Sequence, residues 1–145
     1  MIGLLQRVSS AAVLVGGREL ASIGRGLLVL VAVQKDDGEA QAARLLERLL
    51  SWRVFPDEAG RMNRSVRDIG GGLLLVPQFT LAADTKKGTR AGFSTAAEPA
   101  RARQLFDDLV RRAREAWPQT GAGEFGADMQ VSLVNEGPVT FWLEA

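Results

Sequence analysis

Apolar residues in the first third of the chain fall in short extended runs. Ile2 to Val15 is apolar-rich and ends at Gly16-Gly17, a hairpin signal, so Arg18 to Ile23 is expected to return against it. Gly24-Arg25-Gly26 then turns the chain into Leu27 to Val33, LLVLVAV, an unbroken apolar run that predicts a central strand buried on both faces. Leu73 to Leu81, LLLVPQFTL, reads as a further strand. Met129 to Val134 and Val139 to Glu144 read as two more, flanking a turn at Asn135-Glu136-Gly137-Pro138.

Two segments change period. Ala42, Leu45, Leu46, Leu49 and Leu50 recur at helical spacing. Asp36 or Asp37 is placed to cap that helix, Glu39 lies in its first turn, and its end is expected between Trp52 and Phe55, before Pro56. Ala102, Leu105, Phe106, Leu109, Val110, Ala113 and Trp117 form a second stripe, with Pro99 suited to the first turn and Pro118 ending it. Residues 57–72 read as loop with a short element, and 82–97 as a polar loop. Strand runs outnumber the two helices, which predicts an α+β fold with a curved, mainly antiparallel, barrel-like sheet. A length of 145 residues with no linker or repeat is expected to form one domain over 1–145.

Composition narrows the chemistry. Lys and Arg number 18 against 17 Asp and Glu, a net charge of +1, so any basic footprint is local and DNA is not an expected partner. There is no Cys and no His. Thiolate nucleophiles, thiolate metal sites, and Ser-His-Asp or Cys-His sites within one chain are therefore excluded. The longest apolar run falls far short of the roughly 20 residues of a spanning helix, and the N-terminus makes a poor signal peptide. A soluble cytoplasmic protein with no membrane partner is expected.

Three segments carry more than the fold demands. A Pro within the Pro77-Gln78-Phe79-Thr80-Leu81 strand end removes a ladder donor. It marks either a fraying edge or a strand opening into a pocket, where free N–H groups and the Gln78 amide face a ligand. Asn135-Glu136-Gly137-Pro138 is a turn at least, and a cis Gly-Pro bond would make it a rigid polar wall. Lys86, Lys87 and Arg90 lie on a Gly-containing loop that either meets phosphates or is plain solvated surface.

At PQFTL and NEGPVT, with LLQRVSSAAV, GLLVLVAV, RVFPDEAGRMNRSV and FGADMQVSLV around them, the chain closely resembles the D-aminoacyl-tRNA deacylases of the D-tyrosyl-tRNA deacylase family. These editing enzymes remove D-amino acids from tRNA. The resemblance implies a homodimer acting on the acceptor end of aminoacyl-tRNA without cofactor or metal, and with active sites at the subunit interface. It implies Gln78, Phe79 and Thr80 as catalytic-pocket residues. Gly137 and Pro138 are implied to enter from the other subunit through a cis bond as chiral selector, with Arg7 bracing their loop. The family usually has Ser where this chain has Pro77, so a hydroxyl and an N–H are lost there.

The implied reaction is hydrolysis of the aminoacyl ester, with the 2′-OH of the terminal adenosine helping to activate water. A chain without His or Cys permits such a mechanism. Some activity on glycyl-tRNA is expected, because glycine has no side chain for a chiral wall to reject. Two other classes stay open at this point: a non-catalytic tRNA-binding module, and a Thr- or carboxylate-dependent hydrolase of small esters. Thr80 has no base to activate it.

Overall fold

Strand β1 (Ile2–Val15) is the spine of the molecule, and the computed structural model describes it with all the other residues of 1–145. Along one edge β1 pairs antiparallel with β8 (Met129–Glu144) from Ile2↔Glu144 to Val15↔Met129. Its other edge is shared. Ile2 to Val8 pair with β3 (Gly26–Ala32), and Ala11 to Val15 pair with β2 (Arg18–Ile23). β6 (Gly72–Pro77) runs parallel to β3, and β7 (Thr120–Ala122) parallel to β6. The sheet is therefore mixed, with antiparallel pairing dominant around the spine.

Glycines let this sheet curl almost shut. A Cβ on Gly121 of β7 would lie 2.9 Å from the Ala21 Cβ of β2, and one on Gly26 would lie 2.0 Å from the Gly72 carbonyl oxygen. Only a residue without Cβ allows such approach. Alternation then sorts the two faces. Leu27, Val29, Val31, Leu73 and Leu75 face the helices, while Leu28, Leu74 and Val76 face the interior of the curl with Val8, Ala11 and Val13.

Helix α1 (Glu39–Ser51) and α2 (Pro99–Ala116) cover the first face. They bury the two apolar stripes expected from the sequence, Ala42 to Leu50 and Ala102 to Ala113. The cap of α1 differs from expectation. Gly38 is the N-cap, and the Gln41 side chain accepts its N–H at 2.9 Å. Asp37 is drawn away because its carboxylate takes the Met1 ammonium at 2.6 Å and the Gln34 N–H. Between the helices, β4 (Phe55–Pro56) and β5 (Met62–Arg64) form a small hairpin.

Two further expectations are corrected, and one element was not foreseen. The strand expected over Leu73–Leu81 stops at Pro77, and Phe79–Ala82 is a single 3-10 turn. β7 has only three residues, TGA, too few to leave a periodic signal. The segments either side of Asn135–Pro138 do not fold back on each other. Both belong to β8 and both pair with β1.

Candidate active site

The end of β6 builds the floor of the site. The Gln78 N–H donates to the Val31 carbonyl at 2.7 Å, toward β3. Backbone groups alternate sides along a strand, so the position of Pro77 faces the β7 side. The ladder there has already ended with the Gly123 N–H donating to the Leu75 carbonyl at 2.8 Å. A proline therefore costs no ladder bond at 77, and its ring packs beside Gly123. The chain then tightens into the 3-10 turn, whose first N–H groups, on Phe79 and Thr80, have no carbonyl within the turn. The Gln78 amide donates to the Thr80 hydroxyl at 2.5 Å.

Beside this turn lies a cleft of about 290 Å³. Val76 to Phe79 form one wall. The strap between β7 and β8 supplies the other through Phe125, Gly126 and Ala127, with Met129 and Val131 below. No carboxylate, Lys or Arg lines the cleft. The groups whose proton affinity the fold moves all lie outside it. Asp57 is held low by the Asn63 amide and the Arg61 N–H. Asp68 is held low by the Ser65 N–H and hydroxyl. For Asp108, burial opposes the charge, but hydrogen bonds from Arg112 and Arg111 outweigh it. The Arg111 guanidinium is raised by its bonds to Asp108 and Glu115. A wider hollow of about 620 Å³ lies at the opposite end of β6, walled by residues 21–25, 69–72 and 118–121 and holding none of the motif residues.

The polar loop after the turn is pinned at its base. Asp84 and Gly92 exchange backbone hydrogen bonds of 2.7 and 3.0 Å, closing a loop that carries Lys86, Lys87 and Arg90, all exposed and none in an ion pair with a carboxylate. Phe93 tilts against Phe79 with ring centroids 5.1 Å apart, which ties the basic loop to the cleft rim.

Gly137 and Pro138 sit elsewhere. Gln6 pairs with Thr140 and Val8 with Asn135, so residues 136–139 all stand opposite Arg7 alone. They leave the sheet as an excursion. Asn135 clips its neck, accepting the Val139 N–H at 2.8 Å and donating to the Thr140 hydroxyl at 3.0 Å. Arg7 holds it from beneath, with Nε donating to the Glu136 carbonyl at 2.9 Å and Nη1 to the Val54 carbonyl at 2.7 Å. The Gly137-Pro138 bond is cis, and Gly137 has φ +134°. Glu136, Gly137 and Pro138 are exposed, and no hydrogen bond joins them to Gln78, Phe79 or Thr80 of the same chain.

The structure thus groups the predicted residues into two sets: Gln78, Phe79, Thr80 with the basic loop, and Arg7 with Gly137-Pro138. The motif reading did not single out the Phe125–Ala127 wall or Phe93. Its only sequence signals were the Gly of FGAD, where Gly126 takes φ +81°, and an aromatic in an otherwise polar loop.

Comparison with known proteins covers nearly the whole chain. Residues 4–144 match the family model described as D-Tyr-tRNA(Tyr) deacylase. A D-aminoacyl-tRNA deacylase of Alkalilimnicola ehrlichii is 67% identical over 145 residues, covering 100% of this chain and 97% of the relative. One from Pseudomonas aeruginosa is 60% identical over 100% of both. Among solved structures, the c-Myc DNA Unwinding Element Binding Protein superposes with a TM-score of 0.95 at 35% identity, covering 100% of this chain and 99% of the other. A probable eukaryotic D-amino acid tRNA deacylase shares the fold at a TM-score of 0.88 and 17% identity, over 99% and 98%.

Proposed function

This chain belongs to the D-Tyr-tRNA(Tyr) deacylase family, and on that premise we propose how its two separated sets of residues edit aminoacyl-tRNA. The protein is a hydrolase acting on D-aminoacyl-tRNA. The finer reading is that the cleft beside Gln78-Phe79-Thr80 takes the terminal aminoacyl-adenosine. The unpartnered Phe79 and Thr80 amides steady oxygen where charge builds in the transition state. The cleft lining offers no general base, so the neighbouring 2′-OH of the substrate assists water, and the protein contributes position, worth up to about 7–11 kcal/mol in favourable cases.

Chirality is read by exclusion. With the ester and ammonium groups held, the α-hydrogen and side chain exchange places between enantiomers. A wall against the α-carbon then admits hydrogen and refuses a methyl group. The Gly137-Pro138 excursion suits that wall, being exposed, pinned by Arg7 and short of its own cleft. A second copy presents it, so the working unit is a homodimer. The achiral glycine escapes rejection, and glycyl-tRNA is a secondary substrate. Lys86, Lys87 and Arg90 meet acceptor-stem phosphates. The cytoplasm, where charged tRNA is made, is the place of action.

The observation that carries this reading is an exposed, braced Gly-Pro excursion on a chain whose cleft lining holds no ionisable group. Incubating the protein with D- and L-aminoacyl-tRNA tests it. Release of the D-amino acid alone is expected. Release of both enantiomers at equal rates overturns the exclusion.

A further inference from the structure

The cleft wall opposite the 3-10 turn has few anchors of its own. Between β7 and β8 the strap Gly123–Asp128 makes two backbone hydrogen bonds, Gly123 to Leu75 at 2.8 Å and Ala127 to Glu124 at 3.3 Å. The third anchor comes from α2. Arg103 Nη2 donates to the Phe125 carbonyl at 2.9 Å, and the same guanidinium lies 5.1 Å from the centre of the Phe125 ring. Beneath, Phe106 supports that ring at 6.4 Å. Arg103 is exposed and has no carboxylate partner, unlike Arg111 and Arg112 on the same helix, whose guanidiniums are paired with Asp108. A guanidinium offers five donors in a fixed plane, so it can hold a carbonyl and cover an aromatic face together, which a Lys ammonium cannot do with the same geometry.

We infer that Arg103 is a positioning residue for the substrate-binding wall: it fixes Phe125 and Gly126 at the distance from Phe79 that the terminal nucleoside needs. This rests on the reading of the cleft as the aminoacyl-adenosine site. The wall faces the bound portion of the substrate across from the Gln78–Thr80 turn, so loosening it weakens ground state and transition state alike.

Steady-state kinetics on a D-aminoacyl-tRNA, with Arg103→Ala, Arg103→Lys, Phe125→Ala and the Arg103→Ala/Phe125→Ala pair, tests the inference. Arg103→Ala is expected to raise KM about tenfold with kcat within about twofold, the signature of lost uniform binding. Arg103→Lys is expected to recover less than half of the loss. Adding Arg103→Ala to Phe125→Ala is expected to change KM less than about twofold, since coupled residues are non-additive. Three results overturn the inference. One is additivity of the two substitutions. Another is full rescue by Lys together with a lowered salt slope of tRNA binding in Arg103→Ala, which makes Arg103 a direct phosphate ligand. The last is a Tm fall beyond about 5 °C in both Arg103 variants, which makes the bond a support of the fold. Absence of deacylation by the unaltered protein instead fails the cleft reading itself; terminal-adenosine minihelix binding then still reports on Arg103.

Discussion

At the residue scale the proposed chemistry turns on what Thr80 and Gly137 can and cannot do. The Thr80 hydroxyl accepts from the Gln78 amide, and no carboxylate or Lys lines the cleft to take its proton. Thr80→Ala is therefore expected to keep kcat within about tenfold, while a tRNA ending in 2′-deoxyadenosine loses at least about a hundredfold, the scale of a missing acid–base group. The ranking is read from single-turnover rates, and the reverse order makes Thr80 the nucleophile. At Gly137 a Cβ would stand 2.8 Å from Val139 Cγ2 and 3.0 Å from Arg7 Nη2, on a backbone at φ +134°. An added methyl has to displace the excursion from its brace. Gly137→Ala is expected to raise the ratio of L to D turnover by about tenfold or more, equivalent to about 1.4 kcal/mol of discrimination. An unchanged ratio of kcat/KM values removes Gly137 from selection.

At the scale of elements, the loop closed by Asp84 and Gly92 and the acidic turns outside the cleft make separate claims. Lys86, Lys87 and Arg90 place three positive charges on one exposed loop. Replacing all three by Ala is expected to weaken tRNA binding and to lower the slope of log K against log salt by up to about 2–3, near one for each phosphate left without its cation. An unaltered slope leaves the loop as solvated surface. The carboxyls of Asp57, Asp68 and Asp108 sit below their ordinary value of 3.8 in the folded chain. A lowered folded value stabilises fully above the unfolded one and is lost as protons bind the native state. Urea midpoints are accordingly expected to stay level from about pH 8 to 5 and to fall below about pH 4. Asp68→Asn should flatten that fall, and an equally steep decline in the variant removes Asp68 from the acid response. The elements themselves were unevenly legible. Both helices followed from apolar spacing, because each buries one continuous stripe. The break at Pro77 did not, because LLLVPQFTL stays apolar while its ladder partner on the β7 side runs out. β7 was invisible because three residues carry no period.

The whole molecule is least legible where its form depends on pairing between residues distant in sequence. Met129–Val134 and Val139–Glu144 read as two separate strands because Gly-Pro between them signals a turn. Nothing local reveals that both halves answer to β1, which is a long-range pairing. For the same reason the sequence named Arg7 and Gly137-Pro138 through resemblance, and the structure supplied the Glu136 carbonyl that connects them. The outward row of β8 leaves Val134 57% and Trp142 51% exposed on an edge with no further strand. Such an edge is open to pairing or cover. Sedimentation is expected to give twice the chain mass at micromolar concentration, and Trp142→Lys to shift it toward the single chain, with D-over-L preference falling in step. A monomer that keeps full preference removes the second copy from selection. The clipped excursion on β8 has one more consequence. Its flanks are zipped to β1 on both sides, through Val8↔Asn135 and Gln6↔Thr140, so a change in the length of the excursion is expected to leave both registers, and the floor at Gln78, in place. What changes is how far Pro138 projects and how Arg7 braces it. On the proposed reading of Gly137-Pro138 as the chiral wall, the excursion is a depth gauge that evolution, or an engineer, can re-cut for a new cargo without rebuilding the ruler on which it is mounted.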